Sequence, residues 1–241
     1  MTNPLIVCIG GAYSGAGKTS LAVALLRSLK GRWAAIKYTK TSFYTSIVDA
    51  KDLRHQESKD STVLLDAGAV AVKWLQCPYS ALDEAIRFAM FDLPPVGGII
   101  IEGNSPRDFV KADLTIFVSG VDTGRFKDTA VVFFEHSDIA VVFHLPVEYH
   151  KIKIWPQGMK TCTAKVYNTG ELDFETCTVM IMETLKTKEM EKKLLENSAN
   201  GKIPCAQARA LAQELEIPYK ELGEMADRLN IKIKNCELGC F

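Results

Sequence analysis

The chain has 241 residues, 47% of them hydrophobic, enough for one sizeable α/β core with a small appendage. Twenty-nine Lys and Arg balance 29 Asp and Glu, so no global field directs the protein toward nucleic acid or an acidic partner. No run of about 18 apolar residues is present, which argues against a membrane helix, and seven scattered cysteines, an odd number, argue against a secreted disulfide framework.

Leu5-Ile6-Val7-Cys8-Ile9 is a continuous apolar run, the pattern of a buried strand rather than of a signal peptide. A reduced cytoplasm is therefore the expected setting. The run enters Gly10-Gly11-Ala12-Tyr13-Ser14-Gly15-Ala16-Gly17-Lys18-Thr19-Ser20 and then the apolar stretch from Leu21 to Leu26. Strand, small-residue loop and helix are the context of a phosphate-binding loop. Gly15 and Gly17 lack Cβ, so the backbone can wrap closely around phosphate oxygens. The expected nucleotide-binding set is Ser14, Gly15, Ala16, Gly17, Lys18, Thr19 and Ser20, with N–H groups at the positive end of the helix dipole. Lys18 is expected at the β- and γ-phosphates as a catalytic cation, and the Thr19 hydroxyl on Mg²⁺.

Leu21, Leu25 and Leu29 recur at helical spacing, and Gly31 closes that helix. Trp33 to Tyr38 reads as the next strand, followed by a polar stretch, Thr39 to Ser58, without sustained periodicity. Such a long stretch leaving the carboxyl edge of a strand is a candidate ligand loop. A short helix over 61–66, a strand over 70–75 and a helix carrying Leu82, Ile86 and Met90 come next. Val96 to Ile101 is a strand ending in Glu102, an acid placed to hold Mg²⁺ or to orient the attacking water. Leu114 to Val118, Val131 to Phe134 and Ile139 to Phe143 read as further strands. Strands alternating with helices predict an α/β fold, a mostly parallel sheet with helices on both faces, as in phosphate-loop NTPases.

Beyond about 145 the pattern changes. Lys151 to Trp155 alternates charged and apolar residues like a half-exposed strand, with Ala164 to Tyr167 as a pairing candidate, before a helix from about Glu171 to Leu195. Asn197 to Gly201 is a linker, and two short helices, 206–214 and 218–229, precede a closing strand expected to bury Ile231 and Ile233. The predicted organisation is a nucleotide-binding domain over 1–150, a strand-helix extension and connector over 151–196, and a small helical domain over 197–241. Six Lys and Arg face six Asp and Glu from 197 onward, so the helix pair lacks the basic face of a DNA reader. Cys205, Cys236 and Cys240 are candidates for a thiolate site holding zinc, molybdenum or an iron–sulfur cluster. Buried or idle thiols are the competing reading.

Several short motifs converge on one resemblance. Ala35-Ile36-Lys37 on the second strand, Lys59-Asp60-Ser61 five residues before Ala67-Gly68-Ala69, and Ile101-Glu102-Gly103 together resemble the molybdopterin-guanine dinucleotide biosynthesis protein B family over about residues 4–145. Tyr38 stands where that family has His, and Ser58 where it has Gly. The resemblance implies an accessory role in molybdenum-cofactor maturation, with molybdopterin or its biosynthetic enzymes as partners and a homodimer as one form. Lys37, Lys59 and Asp60 would then face a second ligand beside GTP or ATP. Glu102-Gly103-Asn104 with Ala112-Asp113-Leu114-Thr115 is also similar to nickel-insertion GTPases. The Ser-Gly-x-Gly-Lys-Thr loop is likewise shared with ATP-dependent enzymes of dethiobiotin synthetase type, and a nucleotide-gated regulator whose tail binds nucleic acid or a partner protein is the alternative of another class. No Asn-Lys-x-Asp guanine motif occurs, so the base remains open between guanine and adenine.

Overall fold

The computed structural model describes residues 3–53, 59–122, 124–143, 156–166 and 170–235, with the side chains of Lys59 and Asp60 also outside the described set. β1 (Leu5–Gly11) passes through the loop 12–17 into α1 (Lys18–Ser28). There follow β2 (Trp33–Lys40), β3 (Ser46–Asp49), α2 (Lys59–Asp66), β4 (Ala71–Cys77), α3 (Leu82–Phe91) and β5 (Gly98–Glu102). β6 (Leu114–Val118), α4 (Asp128–Glu135), β7 (Ile139–Val142) and β8 (Lys160–Thr163) complete the sheet. Its order is β3-β4-β2-β5-β1-β6-β7-β8. Every neighbouring pair is parallel except β3, which runs antiparallel to β4 at the edge.

The central strands read as unbroken apolar runs because both sheet faces are covered. β5, β6 and β7 are buried at every position. On one face α3 and α4 pack Ile86, Ala89, Phe133 and Phe134 around Cys8, Ile36, Ile101 and Phe117. The alternate β1 positions, Val7 and Ile9, are buried on the face of α1 with Leu21 and Leu25. This is an α/β fold, a mostly parallel sheet with helices on both faces, with β1 near its centre and the glycine loop at its carboxyl edge.

Two segments differ from the sequence reading. Val131 to Phe134 lies in α4, not in a strand. Ala130, Phe133 and Phe134 are buried while Val132 faces solvent, a three-and-four spacing that seats one helical face on β1. Gly10 permits that approach, since a Cβ there would come within 2.5 Å of the Phe133 ring. The polar stretch after Tyr38 is also more ordered than expected: β2 runs on to Lys40, and residues 46–49 pair as β3.

β9 (Lys165–Val166) pairs antiparallel with β10 (Leu172–Asp173), and Lys151 to Trp155 lies outside the described residues. α5 (Glu175–Glu196) starts after β10, where an Asp173 carboxylate oxygen accepts from the Glu175 N–H at 2.8 Å. The chain divides within this helix, into units of residues 3–182 and 183–241.

The second unit contains β11 (Lys202–Pro204), α6 (Cys205–Glu214), α7 (Tyr219–Arg228) and β12 (Lys232–Lys234). Met190 and Leu194 from the end of α5 join Ile203, Leu211, Leu222, Met225 and Ile231 in its own small core. β11 and β12 pair in parallel, Ile203 opposite Ile233. Ile231 is buried as expected, but Ile233 is 40% exposed, because a two-stranded ribbon leaves one side of its second strand open. Among the described residues no helix is long and apolar enough to cross a membrane.

Candidate functional site

The loop between β1 and α1 is held from three directions. Gly15 and Gly17 take φ of 89° and 99°, the left-handed region the loop needs. The Ala12 N–H donates to the Val118 carbonyl at 3.0 Å, and the Ala12 carbonyl accepts from the Lys127 N–H at 2.8 Å. The Asn104 side chain accepts from the Gly11 N–H at 2.8 Å and donates back to the Gly11 carbonyl at 3.1 Å. The Lys18 ammonium donates to the Tyr13 carbonyl at 2.9 Å, so its stem lies along the loop.

Tyr13 is buried and acts as a strut. Its phenol oxygen accepts from the Asp122 N–H at 2.9 Å, and the Arg125 guanidinium stacks 4.6 Å from the ring centroid. Gly120 follows β6 with φ 73°, and a Cβ there would lie 2.5 Å from the Tyr13 hydroxyl. The phosphate loop and the β6–α4 connection therefore form one packed unit.

Next to the loop, three sequence-predicted residues meet. The Thr19 hydroxyl donates to Glu102 at 2.9 Å. Lys37 lies 3.4 Å from the Thr19 hydroxyl and 3.8 Å from the same Glu102 oxygen. Register explains the meeting, because Lys37 on β2 stands directly opposite Glu102 on β5, itself opposite Ile9 on β1. Glu102 is nearly buried, and a buried carboxylate needs a partner charge, which Lys37 supplies. The hydroxyl and carboxylate are hard oxygen donors side by side, the ligand set that suits Mg²⁺, which takes few protein ligands beside phosphate and water.

These groups line a cleft of about 960 Å³ together with Ser14, Tyr38, Lys40, Ser105 and Lys127. The Tyr38 hydroxyl donates to the Cys77 carbonyl at 3.2 Å. Burial, with Cys77 and Tyr79 adding to it, pushes Tyr38 up to about 12, so the phenol stays protonated near neutrality. A second cleft of about 920 Å³ adjoins at Thr19, Ser20 and Leu172, with Ala24, Arg27, Asp173 and Thr178 among its walls.

The other expected site residues are placed less completely. Lys59 and Asp60 open α2, but their side chains lie outside the described residues. Cys205 begins α6 and is half-buried, while Cys236 and Cys240 lie outside the described residues. Among the described residues no group of three His, Cys, Asp or Glu is placed to hold a metal. Asn104, Tyr13, Gly120 and Leu172 are site residues to which the sequence motifs assign no role. The signals for them in the sequence are the Asn just after Glu102-Gly103 and the Gly two residues past a buried strand.

No family model matches the chain. No curated protein matches it. Among solved structures the chain is similar to LpxK from Aquifex aeolicus in complex with ATP. The two are 18% identical over 68% of this chain and 54% of that one, with a TM-score of 0.42. The chain thus spans about half the length of that protein.

Proposed function

We propose that this chain binds a nucleoside triphosphate, GTP or ATP, with Mg²⁺, and hydrolyses it slowly as an accessory in molybdenum-cofactor maturation. The Thr19–Glu102–Lys37 cluster beside the glycine loop is the observation that supports the nucleotide reading. Loop N–H groups and Lys18 bind the β- and γ-phosphates, and Lys18 neutralises charge that builds on the bridging oxygen. Thr19 and Glu102 would hold Mg²⁺, which supplies Lewis-acid neutralisation of the phosphates when bound. Lys37, 3.8 Å from Glu102, supplies the counter-charge beside it. The nucleoside runs past Ser20 into the adjoining cleft along α1, where Leu172 packs near Gly17 and Arg27 and Asp173 offer polar contacts.

The molybdenum role rests on the Lys-Asp-Ser…Ala-Gly-Ala spacing, with Lys59 and Asp60 serving the second ligand. Molybdopterin or its biosynthetic enzymes are the proposed partners. A zinc, molybdenum or iron–sulfur site at Cys205, Cys236 and Cys240 is the companion proposal for the second unit. Titrating labelled GTP and ATP analogues, with and without Mg²⁺, against wild type and Lys18→Ala tests the nucleotide reading. Equal affinity of the two proteins for both analogues overturns it. Complementation of a strain lacking molybdenum-cofactor maturation tests the pathway, and elemental analysis of anaerobically purified protein tests the cysteines.

A further inference from the structure

The Lys37 ammonium rests on the same two oxygens that suit Mg²⁺. Lys37 Nζ donates to the Thr19 hydroxyl at 3.4 Å and lies 3.8 Å from Glu102 Oε2. The hydroxyl in turn donates to that same Oε2 at 2.9 Å. Thr19 therefore spends its proton on Glu102 and a lone pair on Lys37. A spacing of 2.9 Å between two oxygens is also that of neighbouring corners in the octahedron Mg²⁺ demands, with bonds of about 2.1 Å.

Charge makes the two cations competitors. Lys37 stands opposite Glu102 in the β2–β5 register, and the two side chains are only 14% and 8% exposed. The lysine and the carboxylate together are neutral. A divalent ion added to them leaves a doubly positive site where water screens little. The nearby Lys18 ammonium, bonded to the Tyr13 carbonyl, adds to that repulsion. A triphosphate in the loop supplies the missing negative charge. Lys37 lines the cleft in front of the loop, and its flexible stem lets the ammonium follow that charge.

From this overlap we infer that Lys37 is a placeholder for the metal. In the nucleotide-free chain its ammonium closes the Thr19 and Glu102 oxygens to divalent ions, and it gives them up only when a triphosphate enters. The chain then takes up metal and nucleotide together and does not load the metal in advance. The inference rests on the nucleotide reading, because the triphosphate is what offers the ammonium a replacement for Glu102.

The test titrates Mn²⁺, a spectroscopic substitute for Mg²⁺, into the full chain without nucleotide and follows the free ion by electron paramagnetic resonance. Wild type is expected to show no saturable uptake in the micromolar range. Lys37→Met keeps the stem and drops the charge, and should bind Mn²⁺ about tenfold more tightly or better, with Mg²⁺ competing. Lys37→Met combined with Glu102→Gln should lose that gain, which places the ion on the carboxylate. Lys18→Met removes an equal charge, one bonded to Tyr13, and should leave Mn²⁺ uptake near that of wild type. Melting curves on the same preparations show which variants fold. Lys37→Gln, neutral yet still a hydrogen-bond donor, gives the same readout where Lys37→Met does not fold.

Micromolar, Glu102-dependent Mn²⁺ binding by nucleotide-free wild type overturns the inference. So does unchanged Mn²⁺ affinity in the folded Lys37 variant, or an equal gain in Lys18→Met, which assigns the effect to net charge. All three leave the nucleotide reading standing when wild type binds AMP-PNP or GMP-PNP together with Mn²⁺. Failure of both analogues to bind wild type overturns the nucleotide reading, and the inference with it.

Discussion

The Thr19 hydroxyl bonds to the Glu102 carboxylate at 2.9 Å across 83 positions of sequence, joining the first turn of α1 to the tip of β5. Replacing Glu102 by Gln keeps the side-chain size and an acceptor for Thr19 but removes the negative charge. Mg²⁺-dependent hydrolysis is expected to fall about 100-fold, the scale of losing one preorganised electrostatic group. Analogue binding in the presence of chelator should be nearly unchanged. Hydrolysis at the wild-type rate in Glu102→Gln would remove the acid from the site.

Lys18→Ala is expected to weaken triphosphate binding by about 100-fold, near 3 kcal/mol, the scale of a charge-assisted hydrogen bond in a confined site. The ammonium donates to a backbone carbonyl of its own loop, at Tyr13, and takes no part in the packing of the sheet. The thermal midpoint without nucleotide should therefore change little. Fluorescence titration and a melting curve on the same preparation separate a binding defect from an unfolded protein.

The phosphate loop is legible in the sequence because its chemistry is local: strand, glycines, Lys18 and Thr19 lie within fifteen positions of one another. Glu102 is legible as an acid at the end of an apolar run. Its partnership with Lys37 is not, since it depends on β2 and β5 lying side by side in a register that puts the two residues opposite. Tyr13 and Gly120 belong to the same class, a meeting set by tertiary packing between segments more than 100 residues apart. Val131 to Phe134 reads as a strand because four apolar residues in a row look alike in a strand and a buried helix. The deciding pattern, Ala130 with Phe133 and Phe134 buried and Val132 exposed, emerges only when the partner face is known.

Gly120→Ala tests the strut. The added Cβ meets the Tyr13 ring, and φ 73° disfavours any side chain. A cost of about 2 kcal/mol or more in urea unfolding is expected, with weaker analogue binding because the loop is displaced. In the double variant Tyr13→Leu/Gly120→Ala the steric part is relieved, so the two single costs should sum to more than the measured loss. Strict additivity would show that the two residues do not press on each other.

The ion cluster at the sheet edge gives a pH prediction. Lys73 on β4 is nearly buried and pairs with Asp92 and, at 3.3 Å, with Asp49 on β3. Burial pushes Asp49 upward, but the Lys51 N–H and the Lys51 and Lys73 ammonium groups outweigh it and hold the carboxyl below its ordinary value. For Lys73 burial pulls the other way, and its bonds to Asp92 and Asp49 leave it above its ordinary value. A depressed carboxylate contributes stability that is present above its unfolded pKa, about 3.9, and is lost as pH falls through the lower folded value. A raised lysine contributes stability that is full below about 10.4 and is lost as pH rises through the higher folded value. The cluster therefore contributes fully between about pH 4 and pH 10. Lys73→Met removes the cation, leaving Asp49 in its half-buried place and Asp92 in solvent. We expect a loss of about 2 kcal/mol at pH 7, below the range for breaking a fully buried pair because Asp92 stays hydrated. The difference between wild type and variant should hold steady from pH 5 to 9 and shrink at pH 3, below the unfolded-state value of Asp49, where the unfolded chain takes up protons and the preference for the ionised pair no longer counts in full. Urea unfolding of both proteins at pH 3, 5, 7 and 9 measures it. A difference at pH 3 equal to that at pH 7 would show that Lys73 stabilises the edge by packing its stem rather than by its charge.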